Sequence, residues 1–237
     1  MEIDSLTDKE RRWLAALREF RGVLDQVQFP YFIDTGTLLG TIRDRRFIPW
    51  DNDIDFGTIR TPDTHRQLAE ASRILHAAGY TYSRTDQGTY FTKAPDIEFG
   101  IMFYERDGQF FRNEFRKLEF PYGPFSRIAY LIKAVQSGFI VAYDGHSPGK
   151  KIRNLLLKAI GSRPFRPERQ FSRLFNLQIK EIKIPVKFFD NLKALELYGD
   201  EYPAPSPPEE YLTWRYGDWQ TPVSKYNYWV EDQSIVA

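Results

Sequence analysis

Between Gly36 and Asp55 the chain reads GTLLGTIRDRRFIPWDNDID. Asp51, Asp53 and Asp55 alternate with Asn52 and Ile54. Residues two apart on a strand project from the same face, so Asp53 and Asp55 share one, and Asp51 joins them if the strand reaches back that far. Ile54 and Phe56 then point the opposite way, into a core. Neighbouring carboxylates repel and raise each other's pKa. A hard divalent cation, Mg²⁺ or Mn²⁺, relieves that repulsion, because it seeks oxygen donors. Just upstream, Ile33-Asp34-Thr35-Gly36-Thr37 reads as strand, glycine, hydroxyl, then helix. Free N–H groups at a helix start attract anions, and Arg43, Arg45 and Arg46 add positive charge. Carboxylates for a metal beside donors for a phosphate are the minimal equipment for phosphoryl chemistry. An Asp-x-Asp alone commonly marks a solvated turn. Here the acids interleave with apolar residues behind Pro49-Trp50, which argues against a plain surface loop.

The elements that must position these residues follow from periodicity. Thr7 and Glu10 form a capping box. Trp13, Leu14, Leu17, Phe20, Val23 (or Leu24) and Val27 then recur at helical spacing up to Pro30. Tyr31-Phe32-Ile33 reads as a buried strand, Thr37 to Ile42 as a short helix, and residues 53–59 as a second strand. Thr61-Pro62 predicts a cap and an N1 proline for a helix through His76, closed by Gly79. Tyr80-Thr81-Tyr82 and Thr89-Tyr90-Phe91 flank a hairpin loop at Asp86-Gln87-Gly88. Residues 96–104, DIEFGIMFY, form a strong strand, and Asp107-Gly108 turns it into Gln109 to Phe115. Helices are expected at Phe125 to Val135, Pro148 to Ile160 and, after the proline-rich YPAPSPPEEY, at Pro208 to Arg215. Tyr-Gly-Asp occurs at 198 and 216 and marks two turns. The order predicts an α+β, mixed α/β fold: a core sheet flanked by helices in one catalytic domain, 1–237, with a helical basic insert at 120–178.

Bulk properties narrow the function classes. The 237 residues suffice for a substantial core. Net charge is +1, so nothing global points to nucleic acid. The absence of cysteine excludes disulfides and thiolate metal sites. The three histidines, at 65, 76 and 146, lack metal-ligand spacing. The polar N-terminus is not a signal peptide, and no run of eighteen apolar residues exists, so a cytoplasmic location is expected. Charge is uneven: Lys150 to Arg173 holds eight Lys and Arg against one acid, and Phe188 to Ala237 holds nine acids against three bases.

The opening stretch resembles the LicD family signature, GTLLGaiR followed by G-F-I-P-W-D-D-D-I-D, a group that includes fukutin and fukutin-related protein. PPEEYLTWRYGDWQTPV is similar to the family's distal motif. Asn52 stands where the family more often has Asp, and Asp44-Arg45-Arg46 replaces a His-Gly-Gly-like gap; neither touches Asp53 or Asp55. The resemblance implies a nucleotidyltransferase-like core and a third acid on a later strand. Glu98, between Ile97 and Phe99, is favoured over Asp96. It further implies transfer of a phospho-alcohol, such as phosphocholine or ribitol phosphate, from a CDP-linked donor to a glycan or glycolipid hydroxyl, with CMP released. In that scheme Asp51, Asp53 and Asp55 hold the metal and Glu98 is the base. Gly36, Thr37 and Arg43 steady the phosphates, and Trp219 closes around the donor. Arg43 could instead pair with Asp44 or Asp51, and Trp219 could simply fill a core. Nucleotide transfer with loss of pyrophosphate, and a non-catalytic binding module, are the alternatives. The leucines and bases of 125–173 could lie on an anionic inner membrane surface, or the leucines could pack inward and leave the bases in water.

Overall fold

In the computed structural model, residues 6–84, 87–95, 97–119 and 176–236 are described. The chain divides into two compact units, Met1–Asn113 with Glu181–Val236, and Glu114–Lys180. The first carries the site. The helices expected at Phe125 to Val135 and Pro148 to Ile160, most of the 120–178 insert, and Asp96 lie outside the described residues.

Helix α1 (Asp8–Gln26) starts with the expected capping box: Thr7 and Glu10 satisfy each other's backbone N–H groups. Its apolar face, Trp13, Leu17, Phe20 and Leu24, is fully buried. The Phe20 ring stacks on Phe99 at 4.2 Å and on Phe56 at 5.6 Å. Strand β1 (Phe32–Ile33) is followed by α2 (Thr35–Leu39), which runs into a π-helical turn at Gly40–Asp44. Strand β2 (Asp53–Ile59) precedes helix α3 (Thr64–Ala77). That helix begins later than Thr61-Pro62 suggests. The Thr64 hydroxyl accepts the Thr61 N–H, so Pro62 and Asp63 form a turn ahead of it.

Strands β3 (Thr81–Arg84), β4 (Gly88–Lys93), β5 (Ile97–Asp107), β6 (Phe110–Glu119) and β7 (Asn176–Pro185) follow. A hairpin of β8 (Lys193–Leu197) and β9 (Asp200–Ala204) comes next, then α4 (Pro208–Tyr216), a short α5 (Tyr228–Glu231) and β10 (Ile235–Val236). The main sheet runs β1-β2-β5-β6-β7-β10, with β4 also beside β5 and β3 beside β4. Mixed helices and strands around a central mixed sheet are the fold class the sequence predicts. Strands β2 and β5 are parallel, in a register that sets Asp53 opposite Glu98 and Asp55 opposite Gly100. Phe56 and Phe99 face α1, so the acids occupy the other face. Both Tyr-Gly-Asp segments are turns. Tyr198 and Gly199, each at positive φ, connect β8 to β9, and Gly217 at φ +65 ends α4.

Candidate functional site

The site is built on the parallel pair β2 and β5. Alternation exposes Asp53, Asp55 and Glu98 partly while it buries Ile54, Phe56 and Phe99. Asp51 precedes the strand yet reaches the same cluster. Its carboxylate occupies the space where a Gly36 side chain would stand: a Cβ there would collide with Asp51 Oδ2. Gly100 makes room in the same way, since a Cβ would lie 3.1 Å from Asp55 Oδ1. Two glycines, 64 positions apart by subtraction of their numbers, thus clear one carboxylate nest.

Its electrostatics are one-sided. Burial pushes the Asp53 carboxyl up, and Asp51 and Glu98 push it further. Asp51 is raised by burial and by Asp55. Asp55 stands well above the ordinary range through burial and Asp53. Contact between the two acids lowers Asp51 at the expense of Asp53, which it raises further. The cations that act on the cluster are engaged elsewhere. The Lys9 ammonium donates to the Pro49 and Asp51 carbonyls at 3.2 and 2.6 Å. Arg215 pairs with Asp34 and Asp232. Burial, with Asp55, Asp53 and Glu98 beside it, lifts the Tyr90 phenol to about 12.

The loop from β1 to α2 grips this nest. The Thr35 hydroxyl donates to Asp55 Oδ2, and Thr37 Oγ1 accepts the Asp55 N–H at 2.8 Å. Thr35 holds φ +40, an unusual conformation for a β-branched residue. Beneath it lies a buried network outside the sequence reading. Asp34 accepts from Tyr104 at 2.6 Å, Tyr211 at 2.5 Å and Arg215 at 3.1 Å, while its Oδ1 caps Thr35. Asp232 anchors the far side of Arg215 at 2.6 Å. The available signal was the spacing of Tyr211 and Arg215, which puts a cation on the apolar face of α4.

Two expected contacts are otherwise engaged. Arg43 grips the adjacent Asp44 in a bidentate fork, Nε donating to Oδ1 at 2.9 Å and Nη2 to Oδ2 at 2.8 Å, a strong charge-assisted pairing. Arg46 binds Glu10. Trp219 is buried, donates to Thr213 Oγ1 at 3.1 Å, and lines a cavity beside α4 to which none of the four acids contributes.

A divalent cation suits the donor set: hard carboxylate oxygens, crowded, half-buried and with the nearby cations engaged by other partners. The side chains are not preset for it, since no group of three or more His, Cys, Asp or Glu among the described residues stands at ligand spacing. An ion bound here would take the place of protons on these raised carboxyls.

Comparison with known proteins places the site within a shared region. A family model described as LicD/FKTN/FKRP, nucleotidyltransferase domain, matches residues 28–125. Ribitol 5-phosphate transferase FKRP from Homo sapiens is 34% identical over 94 residues, covering 35% of this chain and 19% of that protein. The Mus musculus protein of that name shows the same identity and coverage. Uncharacterized protein RP689 of Rickettsia prowazekii (strain Madrid E) is 25% identical over 133 residues, 56% of this chain and 49% of that one. The chain thus spans about a fifth of the length of the FKRP relatives. A solved structure of ANT(2")-Ia in complex with adenylyl-2"-tobramycin aligns over 62% of this chain and 88% of that one, with 15% identity and a TM-score of 0.32, too low to bear on the fold.

Proposed function

With residues 28–125 belonging to the LicD/FKTN/FKRP nucleotidyltransferase domains, we propose that the protein is a metal-dependent phosphotransferase. It moves a phospho-alcohol, such as phosphocholine or ribitol phosphate, from a CDP-linked donor to a glycan hydroxyl and releases CMP. One observation carries this reading: Asp51, Asp53, Asp55 and Glu98 share a nest cleared by Gly36 and Gly100, beside the strained Thr35 turn. Asp51, Asp53 and Asp55 would hold Mg²⁺ or Mn²⁺, whose charge, when bound, neutralises the donor diphosphate.

The chain's own groups supply the rest. The Gly36–Thr37 turn offers backbone N–H donors to the phosphates. Glu98, across from Asp53, takes the proton of the acceptor hydroxyl as its oxygen attacks the distal phosphorus. The bond from that phosphorus to the CMP oxygen breaks in line. Arg43 joins only by exchanging Asp44 for a phosphate. Lipid-borne acceptors would be met at a membrane surface through residues 125–173, with the reaction in the cytoplasm; that segment is outside the described residues.

A second reading is favoured by the matched domain's description: nucleotide transfer, with attack on the inner phosphorus and loss of pyrophosphate. Incubation with CDP-choline, CDP-ribitol, CDP-glycerol and CTP, with Mg²⁺ or EDTA, separates the two. Metal-dependent CMP release from one CDP-alcohol is expected. Pyrophosphate from CTP, with every CDP-alcohol left intact, would replace the first reading by the second.

A further inference from the structure

The cavity beside α4 lies apart from the carboxylate nest in every residue that lines it. Its volume is about 670 Å³, enough for two or three sugar rings. Trp214 and Trp219 form its aromatic walls, and Gln220, Gln233, Glu209 and Glu210 line it with amides and carboxylates. Trp214 is 41% exposed although its indole N–H donates to the Lys183 carbonyl at 2.9 Å. A large aromatic fixed by a backbone bond and still open to solvent offers a rigid face. The amide of Gln233 sits over Gly217, where a Cβ would collide with it. The Gln233 N–H is also tied to the Arg215 carbonyl at 2.7 Å.

Charge decides among ligands. The lining carries Glu209, Glu210 and one cation, Lys187, so its formal charge is 1 − 2 = −1. Lys187 is already paired with Glu210 at 3.0 Å. A phosphate or a uronate would meet a net negative wall, with the ammonium spent. Flat apolar faces edged by planar amide and carboxylate groups instead match a ring that is apolar on its C–H face and hydroxylated at its rim. We infer that this cavity binds saccharide, neutral or carrying an amine, and admits neither the nucleotide nor an acidic sugar.

The cavity is joined to the catalytic nest through one helix. The outer side of α4 contributes Glu209, Glu210, Thr213 and Trp214, and its inner side hooks Tyr211 and Arg215 onto Asp34. A saccharide held there is thus on the same body as Thr35 and Asp55. Its identification as the acceptor rests on the phosphotransferase reading; saccharide binding itself does not.

The test is tryptophan fluorescence of the full chain, metal-free and donor-free, titrated with maltotriose, chitosan trimer, trigalacturonate and CMP. A saturable emission change with maltotriose or chitosan trimer is expected, at least tenfold weaker for trigalacturonate and CMP. Trp214→Ala should abolish it. Gln220→Ala, at an exposed position, should weaken it at least tenfold with melting unchanged. Asp53→Asn should leave it intact. No saturable response to either sugar up to about 50 mM, well beyond a millimolar Kd, equal binding of trigalacturonate or CMP, or binding that survives Gln220→Ala would overturn the inference. Sugar binding without phosphotransfer would fault only the earlier reading, and phosphotransfer without sugar binding only this one.

Discussion

Asp55 shows how much one side chain is asked to do. Its carboxylate takes the Thr35 hydroxyl, its N–H reaches Thr37, and its Oδ1 fills the space Gly100 leaves. Gly36 has the matching role for Asp51. Gly36→Ala collides with the far end of a flexible side chain, so its effect falls on where that carboxylate sits rather than on the fold. The variant should melt close to wild type without metal and lose at least tenfold in Mn²⁺ affinity by calorimetric titration; unchanged affinity would remove Asp51 from the ligand set. Glu10 offers a pH test. Burial alone would raise its carboxyl, but bonds from Thr7, Arg46 and Tyr198 bring it from 4.5 down to about 2. A depressed folded pKa gives stability that is present above the unfolded value and lost as pH falls toward the folded one. Urea unfolding at pH 5 and pH 3 should therefore show a steeper loss in wild type than in Glu10→Gln.

At the scale of elements, α4 is fixed by charge as well as by packing. Arg215 is buried between Asp34 and Asp232, and removing one member of such a group strands the others. Arg215→Met should cost about 3–5 kcal/mol in urea unfolding. Adding Asp232→Asn should return part of that, and additive losses would show the pair uncoupled. This network also marks where sequence reading stops. The helix from Thr7, the strand over 53–59, the face shared by Asp53 and Asp55, and the end of α4 were legible, because period and caps are local signals. The partnership of Asp34 with Arg215 spans 181 positions and has no local trace. The β8–β9 hairpin was visible only as its Tyr198-Gly199 turn, since Lys193 falls in phase with the inward Leu195 and Leu197 and Pro203 reads as a breaker. Arg43 was open between the phosphates and a pair with Asp44 or Asp51, and it is the neighbouring Asp44 that holds it.

Across the whole molecule, charge is divided between a basic stretch at Lys150 to Arg173 and an acidic end after Phe188. Among the described residues no helix is long and apolar enough to cross a membrane. The basic stretch, outside those residues, is expected to give electrostatic attachment. Sedimentation with anionic liposomes should show binding at low salt that weakens at high salt, where the charges are screened. Changing Lys150, Lys151 and Arg153 to Gln should reduce it. Wild type that ignores such vesicles at low salt would leave the stretch without a membrane role.

If Asp51, Asp53 and Asp55 hold a divalent ion, as proposed, melting temperature with and without Mg²⁺ reports it. An ion at a hundredfold excess over its Kd adds about 2.7 kcal/mol, which for a chain of this size is a rise of roughly 5–10 °C. Wild type should show that rise. Asp53→Asn and Asp55→Asn should lose it, while their metal-free melting stays equal or climbs because a crowded charge is gone. A Mg²⁺-dependent rise of wild-type size in both variants would contradict the metal site and the chemistry built on it.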